Sequence, residues 1–123
     1  MGRFRQQTEF VAWGSNGKLP TNRNVLVLPG AFSVAPPTAA KRYHQTEKPV
    51  ELMRQIVRIC EPEGIVLDPF CGSGTTICAA LMEGYKAVGV ECVEHYAMIA
   101  RQRVDEVLQW IYSANDENAA QKP

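Results

Sequence analysis

The chain has 123 residues, of which 46% are hydrophobic and 21% charged; this suits one domain with a single core and excludes a mostly disordered chain. No apolar run reaches the ~18 residues of a membrane span and no charged-then-apolar leader opens the sequence, so a soluble, cytoplasmic protein with no membrane partner is expected. Thirteen basic and thirteen acidic groups cancel overall but segregate: residues 1–48 hold seven Lys or Arg against two acids (net +5), and residues 49–123 hold six against eleven (net −5).

Residues 1–43 are predicted to form a basic arm of hairpin and loop. Glu9-Phe10-Val11-Ala12-Trp13 has the aromatic and β-branched content of a short strand, and Gly14-Ser15-Asn16-Gly17 breaks it. Asn24-Val25-Leu26-Val27-Leu28 is a second strand candidate, stopped by Pro29-Gly30. Residues 29–42 carry three prolines and no helical period, which predicts a loop. Such a positive arm beside an acidic body suits a polyanionic partner.

Residues 44–112 change character. Pro49 suits the first position of a helix, and Val50, Met53, Ile56, Val57 and Cys60 recur at three- and four-residue steps before Pro62 ends the pattern. Gly64-Ile65-Val66-Leu67 predicts a short apolar strand, of the kind buried on both faces in a parallel sheet. Asp68-Pro69-Phe70-Cys71-Gly72-Ser73-Gly74-Thr75-Thr76 is a glycine turn, followed by a helix through Ile77, Ala80 and Leu81 with Gly84 as its left-handed terminator. Residues 86–90 form the next strand, closed by Glu91, and a last helix carries Val93, Ala97, Ala100, Val104, Val107 or Leu108, and Ile111 on one face. Residues 113–123 are polar and read as a frayed tail. The four cysteines have no CxxC spacing and only His44 and His95 could join them, so no metal site is expected and each cysteine reads as a small buried hydrophobe.

Residues 64–91 thus describe a βαβ unit, in which a ligand sits beyond the carboxyl ends of the strands, near the amino terminus of the crossover helix. Gly72 and Gly74 let the backbone approach that ligand. Glu91, 17 residues after Gly74, can accept two hydrogen bonds from ribose hydroxyls. Together they select an adenosine-containing cofactor. A nicotinamide or flavin fingerprint is incomplete, because counting from Gly72 its third glycine position is Ile77, and Asp68 would set a negative charge beside a pyrophosphate. A phosphate-cradling loop needs a lysine, and none lies between Lys48 and Lys86. S-adenosylmethionine has no phosphate, carries a sulfonium and an ammonium, and fits best.

The run Asp68 to Thr76 resembles the cofactor motif of the amino-group DNA methyltransferases, which methylate adenine N6 or cytosine N4. His44-Gln-Thr-Glu-Lys-Pro-Val50 resembles the motif just upstream in the phage-type subgroup, where the cofactor motif lies downstream of the target-base motif. Gly89-Val90-Glu91 with Tyr96 and Ala97 is similar to the next motif, and residues 3–14 are similar to the strand after the catalytic region. The resemblance implies a Rossmann-like methyltransferase fold, with Asp68, Phe70, Gly72 and Gly74 lining the methionine part of the cofactor and Glu91 on its ribose. It also implies that Thr46, Lys48 and Pro49 close the site, with Lys48 near the methionine carboxylate. Arg3, Arg5 and Arg23 of the arm are then expected on the phosphates of double-stranded DNA.

The family's chemistry uses an Asp, Asn or Ser, two prolines and an aromatic in sequence, which orient the amine of a flipped base. The Pro36-Pro37 pair here is flanked by Ala35 and Thr38, which supply neither the acceptor nor the ring. The resemblance therefore implies the carboxy-terminal half of such an enzyme, with no catalytic residue of its own, an incomplete sheet that lacks the central strands, and no methyl transfer by the chain alone. Two alternatives stand beside it: one chain of a split methyltransferase completed by a second chain, or a non-catalytic remnant that keeps DNA or nucleotide affinity. A methyltransferase for a small molecule or a protein is a further, weaker alternative.

Overall fold

The computed structural model describes residues 8–19, 21–23, 27–35 and 47–120, with no side chains considered for 117–120. The elements run α1 (Val50–Val57), β1 (Ile65–Asp68), α2 (Thr75–Met82), β2 (Lys86–Gly89) and α3 (Glu94–Ala120). β1 and β2 pair in parallel with Ile65 beside Lys86 and Asp68 beside Gly89. The predicted βαβ unit is present, as a two-stranded, incomplete Rossmann-like sheet.

The crossover helix α2 is the hub, touching α1, α3 and both strands. Its small side chains allow this: Ala79 and Ala80 are fully buried, with Ile77 and Cys78 beside them. Val57 of α1, Val66 of β1 and Ala80 form one cluster, against which Cys60, Tyr85 and Ala87 pack. The Tyr85 hydroxyl donates to the Cys60 carbonyl oxygen at 3.3 Å, which ties the end of α1 to the start of β2.

The strands depart from expectation on one face. Val66 and its neighbour Ala87 turn to the helices, whereas Ile65, Leu67 and Val88 remain 65%, 63% and 50% exposed. The apolar run of β1 is therefore buried on one side only, because among the described residues no second layer covers the sheet. Full burial of one such side chain contributes about 1.5–3 kcal/mol, so the bare face forgoes several kcal/mol of stabilisation.

Other expectations are corrected as well. Glu9 to Trp13 forms no strand, and Phe10 and Trp13 stand 98% and 69% exposed, since nothing among the described residues offers them a ladder or a cover. The second hairpin strand falls partly on residues 24–26, outside the described residues, and Val27 and Leu28 are not in a strand. The last helix continues to Ala120, through residues expected to fray. No Gly or Pro interrupts residues 113–120, and each added residue gains one backbone hydrogen bond once the helix exists. Of the cysteines only Cys78 is buried; Cys60 and Cys71 are half-buried and Cys92 is exposed.

An ionic clamp fastens α1 to the end of α2. Glu83, 11% exposed, accepts from Arg54 Nε at 2.7 Å and from Arg58 Nε at 2.6 Å. The bond from Arg58, with that from Arg54, holds the Glu83 carboxyl below the usual carboxylate range although burial opposes the charge. A carboxyl depressed by folding adds stability above its unfolded pKa and loses it as pH falls through the lower folded value. Glu83→Gln is therefore expected to cost about 2 kcal/mol near neutrality and to flatten the acid limb of stability, as urea unfolding between pH 7 and 3 would show.

Candidate functional site

The site begins where β1 ends. The Asp68 carboxylate accepts the Phe70 N–H at 3.1 Å, an Asx turn that starts the loop around Pro69. Val90 N–H donates to the Asp68 carbonyl at 2.9 Å, and Cys71 N–H donates to the Val90 carbonyl at 3.0 Å, so the loop is stitched onto the continuation of β2. Gly74 N–H then donates to the Cys71 carbonyl at 2.8 Å and the chain enters α2.

Both glycines of the turn have left-handed backbones, with φ of 51° at Gly72 and 81° at Gly74, a conformation that costs other residues about 1–2 kcal/mol. At Gly74 space also matters: a Cβ there would lie 3.0 Å from the Ala100 Cβ and 3.1 Å from its Cα. Gly74 and Ala100 are thus the two small residues that let the turn rest on α3.

Glu91 draws the turn and α3 together. Its Oε2 accepts the Gly72 N–H at 2.9 Å and its Oε1 accepts the Val93 N–H at 2.8 Å. The Val93 bond, joined by the Gly72 bond, holds this carboxyl below the usual carboxylate range against the opposing effect of burial. A carboxylate offers about four lone-pair sites, so these bonds leave acceptor capacity for a ligand.

Gly72 and Glu91 line a common cavity of about 270 Å³. Asp68, Phe70, Cys71, Ser73, Thr75 and Thr76 continue its wall, and Glu47, Lys48 and Met53 close it. Five of the residues singled out in the sequence are therefore brought together: Asp68, Phe70, Gly72, Glu91 and Lys48. Gly74 is not in the wall; it packs behind the turn. Thr46, Arg3 and Arg5 lie outside the described residues. Lys48 is ion-paired with Glu9. Arg23 is ion-paired with Glu61 and donates to the Ile59 carbonyl at 2.8 Å, so its guanidinium is engaged within the chain.

The sequence reading missed Glu47 and Arg103. Arg103 is an α3 cation, 9% exposed, whose Nη1 reaches the Ser73 carbonyl at 2.8 Å, Ser73 Oγ at 2.9 Å and Thr75 Oγ1 at 3.2 Å. Its Nη2 lies 3.0 Å from Glu47 Oε1, and Thr75 Oγ1 donates to the same oxygen at 3.3 Å. The available signal was positional: Arg103 stands three residues from Ala100 and four from Val107 on the buried stripe of α3, where an unpaired charge is not tolerated.

Chemically, Glu47 is met by Arg103 and Lys48 by Glu9, so the Asp68 and Glu91 carboxylates give the cavity wall its excess of negative charge. Such a wall repels phosphate and suits cationic and hydroxyl-bearing groups. Burial, then Asp68 and Glu91, push the Cys71 thiol up, which keeps it protonated and unsuited to act as a nucleophile. Among the described residues no helix is long and apolar enough to cross a membrane, and no group of three or more His, Cys, Asp or Glu could hold a metal ion.

Comparison with known proteins agrees on one kind of relative. The family model described as DNA methylase, of the N6/N4 type, matches residues 12–102. The type II methyltransferase M.ScaI of Streptomyces caespitosus is 35% identical over 98 residues, which are 78% of this chain and 32% of that protein. The DNA adenine methyltransferase YhdJ of Escherichia coli (strain K12) is 40% identical over 63 residues, 50% of this chain and 21% of that protein. Among solved structures, the M1.HpyAVI–SAM complex matches with a TM-score of 0.54 and 32% identity, over 65% of this chain and 43% of that one. The chain thus spans about a third of the length of M.ScaI and a fifth of that of YhdJ.

Gly74→Ala and Gly84→Ala separate strain from crowding at the turn. Gly84 has φ 82° with nothing within 4 Å of an added Cβ, so its substitution should cost only the left-handed strain, about 1–2 kcal/mol. Gly74→Ala should cost more by about 1–3 kcal/mol of overpacking against Ala100, measured by chemical denaturation of the two variants in parallel.

Proposed function

The chain belongs to the DNA methylase family of the N6/N4 type, and from that membership we propose that it binds S-adenosylmethionine in the cavity between the glycine turn and Glu91. It does so as the cofactor-binding part of an enzyme that methylates adenine N6 or cytosine N4 in double-stranded DNA. One observation carries this reading: Gly72 N–H and the Glu91 carboxylate meet at 2.9 Å and line the same cavity.

The donor set fits the cofactor. Glu91 keeps acceptor capacity for ribose hydroxyls, and the excess of carboxylates suits a ligand bearing a sulfonium and an ammonium but no phosphate. Asp68, at the tip of β1, would face the positive groups, and Phe70, 88% exposed, offers an aromatic face at the rim. Lys48 of the cavity wall would meet the methionine carboxylate on giving up Glu9. When bound, S-adenosylmethionine supplies a methyl group activated by its sulfonium. The chain's own residues bind and orient it, since the sequence has no Asp, Asn or Ser followed by Pro-Pro-aromatic to align a target amine.

A second reading, a split enzyme completed by another chain, is favoured by the bare face of Ile65, Leu67 and Val88 and by two strand edges left open among the described residues. In either case the chain alone transfers no methyl group. Titration calorimetry of the folded chain should show S-adenosylmethionine binding that Glu91→Gln weakens about tenfold, the order of a lost charge-assisted hydrogen bond. Absence of binding by a folded sample would overturn the assignment. Transfer of labelled methyl to mixed-sequence duplex DNA by the purified chain would overturn the claim of inactivity.

A further inference from the structure

Arg103 itself has no part in binding the cofactor as proposed above, and its burial is unusual. Arg103 and Glu47 side chains are 10% and 5% exposed, and a charge so placed costs several kcal/mol unless it is paired and hydrogen-bonded. Here the guanidinium hydrogen-bonds and ion-pairs with three residues of the cavity wall. Nη1 holds Ser73, through its carbonyl and hydroxyl, and the Thr75 hydroxyl at the start of α2. Nη2 holds Glu47, from the segment that leads into α1 through the N-cap Pro49. Thr75 closes the ring by donating to Glu47. Glu47, Ser73 and Thr75 all line the cavity.

We propose that Arg103 and Glu47 form a latch that fixes residues 47–49 onto the glycine turn, and so set the wall in which the cofactor is held. Arg103 is a positioning residue, acting through Ser73, Thr75 and Glu47. This rests on the reading of the cavity as an S-adenosylmethionine site for its functional half, whereas the mechanical half stands on the hydrogen bonds alone. The geometry asks for arginine in particular. A planar fork reaches Glu47 with one nitrogen and the turn with the other, which the single ammonium of lysine cannot do. Two turns of chain otherwise unconnected in sequence, 47–49 and 72–76, are thereby coupled through one α3 side chain. Lys48, which follows Glu47 directly, is carried into the wall by the same latch.

The test compares the full chain with Arg103→Lys and Glu47→Gln, the pair of them combined, and Glu83→Gln as a clamp between α1 and α2 outside the cavity. Under conditions where all are folded, amide hydrogen exchange at Glu47, at Lys48 and across 72–76 should quicken more in the three latch variants than in Glu83→Gln, which sets the effect of destabilisation alone. S-adenosylmethionine affinity should fall about tenfold in each single latch variant, with no comparable further loss in the double variant, as expected for two residues acting as one unit. Exchange no faster in Arg103→Lys than in Glu83→Gln would overturn the latch. Faster exchange with unchanged affinity would overturn its role in holding the cofactor. Should the unaltered chain bind no S-adenosylmethionine, the functional reading would fall, and the exchange pattern alone would uphold or overturn the latch.

Discussion

Parallel pairing of β1 and β2 is the constraint from which the rest follows. With Asp68 beside Gly89, both strands release their chains at the same edge of the sheet. The loop after β1 and the residues after β2 must therefore meet there, and they do, through Cys71 to Val90 and Gly72 to Glu91. A parallel pair also demands a crossover, which delivers the amino terminus of α2 to that edge. The cavity is a consequence of topology before it is a consequence of any one side chain.

What topology opens, small residues and buried charge hold in shape. Ala79 and Ala80 let α2 sit close to its neighbours, and Gly74 lets the turn rest on Ala100. Arg103 then spans from α3 to the turn and to Glu47. Apolar contact supplies non-directional adhesion, and the guanidinium adds direction, since its two Nη atoms reach the turn and Glu47 at once. The same division recurs between α1 and α2, where the Val57 cluster is paired with the Glu83 clamp.

Among the described residues, nothing of this kind lies on the opposite face of the sheet. Ile65, Leu67 and Val88 are uncovered, and the share of M.ScaI that the chain spans is about a third. An apolar strand face with open edges is a surface that further strands and helices of an α/β protein ordinarily cover. The described residues thus build a two-stranded parallel sheet with a cavity at one end and an apolar face left bare.

From the sequence alone came the elements from α1 onward, whereas the strand that local pattern predicted over Glu9 to Trp13 does not form. The βαβ order, the glycine turn, Gly84 as terminator, and the gathering of Asp68, Gly72 and Glu91 at one cavity are legible there, because strand tips, left-handed glycines and spacing along a crossover are properties of nearby residues. Tertiary structure decided the rest. The segregated charges suggested a free basic arm, yet Arg23 and Lys48 meet Glu61 and Glu9, acids 38 and 39 residues away. Arg103 looked like any helix cation until folding set it against Ser73 and Glu47, 30 and 56 positions earlier. Ile65 and Leu67 read as core because their hydrophobicity is intrinsic, whereas their exposure depends on whether a second layer is there to cover them. Partnership across such distances is set by how the helices stack, and no local period or motif encodes it.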